Sequence, residues 1–259
     1  METVQSKDGT RIAFERSGAG PAIVLVNGAL TERSAFAALR PLLDPCFTLV
    51  AFDRRGRGDS GDTPPYAPER ELEDVAAVIA AAGAGAFVYG HSSGAILALR
   101  AAASGLPIRR LAVTEPPFIL RGTRPLPPAD VLARIEGLVA AGDRDGALRA
   151  FLGEQVGIPA PALQAMAASP VWPRMLALAH TTPHDTAIAG TYDVPVAALA
   201  GIAIPTLVLR GGASFPWIGE TARAVAAAIP HAELATLEGQ THSPAPDVLA
   251  PALVRFFLS

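Results

Sequence analysis

Five consecutive residues, Gly90-His91-Ser92-Ser93-Gly94, sit between a short apolar run, Ala86 to Tyr89, and a stretch of helical spacing, Ser93 to Ala103. Two glycines around a serine at a strand-to-helix junction permit a sharp chain reversal. The middle residue is left in a strained backbone conformation, with its side chain exposed at the sheet edge. The helix that follows offers unpaired N–H groups and positive potential, which suits the charge that develops when a hydroxyl attacks a carbonyl. Ser92 is therefore the candidate nucleophile, and the N–H of Ser93 a candidate oxyanion donor. The plainer reading is a chance Gly-x-Ser-x-Gly match in an ordinary turn. The strand before it and the helix after it favour the nucleophile.

Such a serine needs a base within hydrogen-bond reach. The chain has five histidines. His91 belongs to the turn itself, His180 and His184 fall in a long helical interval, and His231 precedes the last strand. His242 follows that strand in Glu238-Gly239-Gln240-Thr241-His242-Ser243-Pro244, on the C-terminal edge of the sheet where open α/β sheets bind ligands. His242 is the candidate base, the alternative being a polar loop residue.

The elements that must hold these groups read as an α/β sheet. Strand signals fall at Thr3 to Ser6, Arg11 to Arg16, Ile23 to Val26, Thr48 to Phe52, Ala86 to Tyr89, Leu111 to Thr114, Thr206 to Leu209 and Glu233 to Leu237. Several are apolar on both faces, as interior parallel strands are. Helical patterns at Ser34 to Leu43, Glu69 to Ala82, Ser93 to Ala103 and Glu220 to Ala228 alternate with them. From Gly122 to Ala200 the rhythm stops. Helical segments separated by proline joints fill this interval, the pattern of a lid inserted over one sheet end. A core of residues 1–121 and 201–259 with a cap at 122–200 is the expected organisation.

Composition removes other classes. The 259 residues are 50% apolar and 17% charged, with net charge −3, so neither a nucleic-acid-binding excess nor a disordered tail is indicated. Cys46 is the single cysteine, so no intrachain disulfide is available. The first ten residues, with Glu2, Lys7 and Asp8, lack a signal-peptide pattern, and a cytoplasmic chain without membrane association is expected. No spacing of histidine, cysteine and carboxylate suggests a metal. Asp53, Arg54, Arg57 and Asp59 lack a phosphate-loop pattern, and structural hydrogen bonding behind the site is the favoured reading.

With these residues in view, the chain resembles the α/β-hydrolase superfamily over nearly its whole length. The resemblance runs from Asn27-Gly28, through Phe52-Asp53-Arg54-Arg55-Gly56-Arg57-Gly58-Asp59-Ser60 and the turn at Ser92, to His242. It implies an eight-stranded, mostly parallel sheet with a small helical cap inserted after the sixth strand, and catalysis without a cofactor. In the family the loop after the third strand usually reads His-Gly-x. Here it reads Asn27-Gly28-Ala29, which makes Ala29 the second oxyanion donor. The family most often takes its triad acid from the end of the seventh strand, but Ser214 stands near that position. Some members use the sixth strand instead, and Glu115 ends it here. A carboxylate on that edge needs a partner, and His242 is the natural one. The alternatives are that Glu115 anchors the cap hinge, or that Ser214 with water, or no acid, serves His242.

The resemblance implies a serine hydrolase cleaving a hydrophobic carboxylic ester or lactone, with water as second substrate. Gly28, Leu30, Phe118, Trp172, Phe215 and Trp217 are the expected substrate contacts. Carbon–carbon cleavage, cyclisation or perhydrolysis in the same pocket, and a disabled ligand-binding protein, are the competing readings. Homodimers are common among such enzymes, so the resemblance allows a homodimer here.

Overall fold

The computed structural model describes residues 1–83 and 85–259. Eight strands form one sheet: β1 (Glu2–Gln5), β2 (Arg11–Gly18), β3 (Ala22–Val26), β4 (Thr48–Phe52), β5 (Phe87–His91), β6 (Leu111–Thr114), β7 (Thr206–Gly211) and β8 (Ala232–Leu237). Their order is β1-β2-β4-β3-β5-β6-β7-β8. The β1–β2 and β2–β4 pairs are antiparallel and the rest parallel. The expected fold, an eight-stranded, mostly parallel sheet with flanking helices and a small cap, is the fold observed.

Alternation along each strand sets the layers. Val24 and Val26 of β3 face one hydrophobic cluster, while Ile23 and Leu25 face the other. Helices α1 (Arg40–Leu43), α2 (Pro68–Ala82) and α3 (Ser93–Ala103) connect the first six strands. Residues 33–36, expected to continue into α1, form a separate 3-10 turn. Between β6 and β7 lie α4 (Val131–Ala140), α5 (Arg144–Ala150), α6 (Ala160–Ala167), α7 (Trp172–Leu178), α8 (Thr182–Ala189) and α9 (Val196–Leu199). The chain continues α5 as one π-helical turn, Phe151–Val156. Much of this segment packs around its own cluster of Ile135, Leu148, Phe151 and Trp172, which also receives Leu30. Helices α10 (Pro216–Ala228) and α11 (Pro246–Phe257) complete the core. Leu253 and Phe257 of α11 pack against Phe47 and Phe87, burial worth roughly 1.5–3 kcal/mol per large side chain.

The strand order reverses between β3 and β5, because β4 lies on one side of β3 and β5 on the other. The loops leaving these two strands therefore diverge and open a crevice at the C-terminal edge. Ser92 N–H bonds the Thr114 carbonyl at 2.9 Å, and Glu115 N–H bonds the Leu209 carbonyl at 3.0 Å. These bonds align the ends of β5, β6 and β7 on that edge.

Candidate active site

Ser92 follows β5 directly and caps α3, with φ 55° and ψ −124°. A left-handed φ is unfavourable for a non-glycine residue, so the surroundings must enforce it. The flanking glycines show how. A Cβ on Gly94 would collide with the carbonyl oxygens of Val26 and Asn27, and one on Gly90 would lie 2.5 Å from the Gly94 carbonyl. Only at this closeness can α3 start against the end of β3.

His242 comes from the loop after β8. Its Nδ1 lies 2.7 Å from Glu115 Oε2, and the Glu115 side chain is fully buried. The other Glu115 oxygen accepts the Gly211 N–H at 2.7 Å, and Ser214 Oγ donates to Oε2 at 2.8 Å. Burial alone would push the Glu115 carboxyl up. Hydrogen bonds from His242, the Gly211 amide and Ser214 outweigh it and hold the carboxyl below its ordinary value. An Nδ1–H held by a carboxylate leaves Nε2 as the acceptor nitrogen of a neutral imidazole.

His91 has a part that its place in the turn did not disclose. Its Nε2 meets the His242 carbonyl oxygen at 2.8 Å, and the two rings sit 4.9 Å apart. Burial, with the neighbouring His242 adding to it, lowers the His91 pKa to about 4. The ring is thus neutral at pH 7, and Nε2–H donates to the backbone that carries His242.

Ala29, Leu30, Ser92, Ser93 and His242 line one cavity of about 390 Å³. The N–H groups of Ala29 and Ser93 have no hydrogen-bond partner among the described residues. The loop bearing Ala29 is held from behind. Asn27, where histidine is common, donates Nδ2 to the Thr31 carbonyl, and Thr31 Oγ1 bonds the Gly28 carbonyl at 2.9 Å. Arg57 also donates to the Gly28 carbonyl, at 2.6 Å. Leu30, at φ 56°, turns its side chain to the cavity.

A buried ionic cluster backs this loop. Asp185 of α8 accepts Arg54 at 2.8 Å and Ser93 Oγ at 2.7 Å on one oxygen, and Arg57 at 2.7 Å on the other. Arg54 also forms a bidentate pair with Glu71, at 2.6 and 2.8 Å. Burial raises the Asp185 carboxyl, but Arg57 and Arg54 overcome it and hold its pKa at about 2. Arg54 and Arg57 thus act as structural hydrogen-bond donors, each committed to a carboxylate. Asp185 itself, 128 residues from Arg57, carries no local sequence signal.

Phe215 and Trp217 line the cavity with Leu30. Three expected contacts lie elsewhere. Phe118, released from β6 by Pro116-Pro117, is buried in the core and borders a separate cleft of about 460 Å³ that holds none of the candidate catalytic groups. Trp172 is buried inside the cap, where its indole N–H donates to Asp145 at 3.0 Å. Gly28 packs behind the elbow, where a Cβ would lie 3.1 Å from Ser92 Cβ. His184 is not on the cavity wall either. It stacks on Tyr66 with centroids 3.8 Å apart. Aromatic type reports burial, and only the tertiary packing says where. Among the described residues no cluster of three or more histidine, cysteine or acidic side chains could hold a metal ion, and no helix is long and apolar enough to cross a membrane.

Comparison with known proteins agrees with this architecture. A model of the alpha/beta hydrolase family matches residues 23–253. Over 257 residues the chain is 32% identical to a pimeloyl-(acyl-carrier protein) methyl ester esterase of Xanthomonas campestris pv. campestris, covering 92% of this chain and 96% of that one. A 127-residue stretch is 35% identical to an N-formylmaleamate deformylase of Pseudomonas putida and spans about half of either chain, 47% of each. The crystal structure of an alpha/beta hydrolase from Sphaerobacter thermophilus superposes with a TM-score of 0.95 at 56% identity, over 99% of this chain and all of that one. By fold, cap and sequence, this chain belongs to the alpha/beta hydrolase family.

Proposed function

We propose that the protein is a serine hydrolase that cleaves a carboxylic ester or lactone with a largely apolar body, through an acyl-enzyme on Ser92. The observation that carries this reading is the convergence of the strained Ser92 elbow and the Glu115–His242 pair on one cavity. The family relationship supports hydrolysis, and the esterase relative, aligned over 92% of this chain, supports an ester as substrate.

In this mechanism Ser92 Oγ attacks the carbonyl carbon while its proton passes to His242 Nε2. Glu115 holds Nδ1–H and stabilises the imidazolium that forms. The oxyanion is received by the N–H groups of Ser93 and Ala29. Collapse of the tetrahedral adduct breaks the bond to the leaving oxygen, which takes the proton from His242. Water then adds to the acyl carbon, giving a proton to the same nitrogen, and the acid leaves as Ser92 Oγ is reprotonated. A lactone follows the same steps with its alcohol still tethered.

The reading is tested by intact mass after exposure to a small fluorophosphonate. One adduct on the wild type and none on Ser92→Ala is expected, together with turnover of a short ester and lactone panel. A folded wild type that neither labels nor turns over would overturn it.

A further inference from the structure

The wall of the cavity is apolar for the most part: Phe151, Leu152, Met166, Met175, Phe215 and Trp217 contribute to it. One cation interrupts it. Arg124, in the chain leading from β6 into the cap, also lines the cavity. The two arginines of the cluster behind the elbow, Arg54 and Arg57, are matched by Glu71 and Asp185. Arg124 meets no carboxylate among the described residues. Its partners are three carbonyls, those of Val156 at 2.6 Å, Gln155 at 2.9 Å and Pro125 at 3.3 Å. A guanidinium has five N–H donors, so two are left over.

The seat of Arg124 is built. Gly157 has φ 84°, and a Cβ there would lie 3.0 Å from Nη2. The guanidinium carbon lies 4.9 Å from the centre of the Trp217 ring, itself on the cavity wall. Tyr192 lines the same cavity at a left-handed φ of 64°, with no hydrogen-bond partner for its hydroxyl among the described residues. Burial holds that hydroxyl protonated by raising its pKa to about 12, so it remains a donor. Asp185 also reaches the cavity, but both its oxygens are engaged by Arg54, Arg57 and Ser93.

Capping the helix end at Val156 would account for the carbonyl bonds alone. It does not account for a half-buried cation that meets no carboxylate among the described residues, in an apolar chamber lined also by a strained tyrosine whose hydroxyl has no partner among them. Desolvating a cation is unfavourable unless an anion meets it. The planar fork suits a carboxylate, and one arginine in about 390 Å³ balances a single negative charge.

We propose that Arg124, helped by Tyr192, receives a carboxylate borne on the apolar body of the substrate, so that half-esters of dicarboxylic acids and carboxylate-bearing lactones are preferred over neutral esters. This deepens, and rests on, the reading of Ser92 and His242 as a hydrolase site.

The test compares mono(4-nitrophenyl) adipate with 4-nitrophenyl hexanoate, which have equal acyl length and differ in a terminal carboxylate. Wild type should favour the adipate by about 10–100-fold in kcat/KM, the range for a charge-assisted bidentate contact. Arg124→Met should bring the ratio close to one, chiefly through KM for the adipate. Arg124→Lys, which keeps the charge but loses the fork, should fall between, and Tyr192→Phe should lower the ratio several-fold. A wild-type ratio of one or below, or a ratio that Arg124→Met leaves unchanged, overturns the proposal. A second measurement does not depend on turnover. Monomethyl adipate binding to Ser92→Ala, followed by calorimetry, should weaken at least tenfold when Arg124→Met is added. Absence of labelling and turnover with that binding difference intact would sink the hydrolase reading alone. Equal binding by both proteins would sink the carboxylate subsite.

Discussion

Ser214 Oγ lies 2.8 Å from Glu115 Oε2, the same oxygen that meets His242 Nδ1 at 2.7 Å. The end of β7 thus supplies a hydroxyl that hydrogen-bonds a carboxylate delivered from the end of β6. The two strands are neighbours in the sheet, with Thr114 paired to Leu209. An acid carried at Ser214 is therefore expected to reach the same imidazole. Glu115 leaves β6 at φ 48°, a left-handed conformation for a non-glycine residue, as it delivers its side chain to that meeting point.

This arrangement predicts that the acid can be moved. Glu115→Gln should lower kcat/KM on a responsive ester by about 10²–10⁴-fold, the range expected when the group holding the imidazolium loses its charge. In a Glu115→Ser background, adding Ser214→Asp should regain at least about tenfold. Steady-state kinetics on the three proteins decides it, and no recovery in a folded double variant would count against β7 as an equivalent donor.

The elbow stores strain that glycine would release. Ser92→Gly should be more stable than Ser92→Ala by about 1 kcal/mol, because only glycine adopts φ 55° without steric cost. Urea unfolding of the two inactive variants measures the difference. Equal midpoints would mean that the surroundings relax when the hydroxyl is removed.

His91 makes stability depend on pH. Its folded pKa of about 4 lies below the ordinary 6.5, so on acidification the unfolded chain binds a proton that the folded protein refuses. The contribution is fully present above pH 6.5 and is lost as pH falls toward 4. Across that window wild type should lose stability more steeply than His91→Gln, by about 1 kcal/mol per pH unit. The carboxylates common to both proteins cancel in the comparison. Chemical denaturation at half-unit intervals would show parallel curves if His91 were freely protonated in the fold.

Asp185 balances two buried guanidiniums and holds the Ser93 hydroxyl. Asp185→Asn leaves Arg54 with Glu71 alone and Arg57 with no carboxylate partner among the described residues, and should destabilise the protein by about 3–5 kcal/mol. Thermal unfolding at low and moderate salt is the check. Salt should rescue little, since the pairs are sheltered from solvent.

Much of the fold and part of the candidate site could be read locally. The apolar runs that became β3 to β7 carry their burial in their own composition, because an interior parallel strand must be apolar on both faces. Gly90 and Gly94 announce the elbow because close backbone approach tolerates no other residue. His242 was legible from its place after the last strand, and Glu115 from its place at the end of the sixth with the family resemblance behind it. The tertiary structure alone decided how these parts meet. It turned His91 from a turn residue into a support for the His242 backbone, and brought Asp185 to arginines 128 and 131 positions away. It carried Phe118 into the core and Trp172 into the cap, and left Arg124 facing the cavity with no carboxylate partner among the described residues. The short helices α8 and α9 gave no strong periodic signal of their own. The physical reason is common to all of these. Backbone conformation and burial are set by neighbours in the chain, whereas charge pairing and pocket lining depend on atoms brought together from distant segments, which no local pattern records.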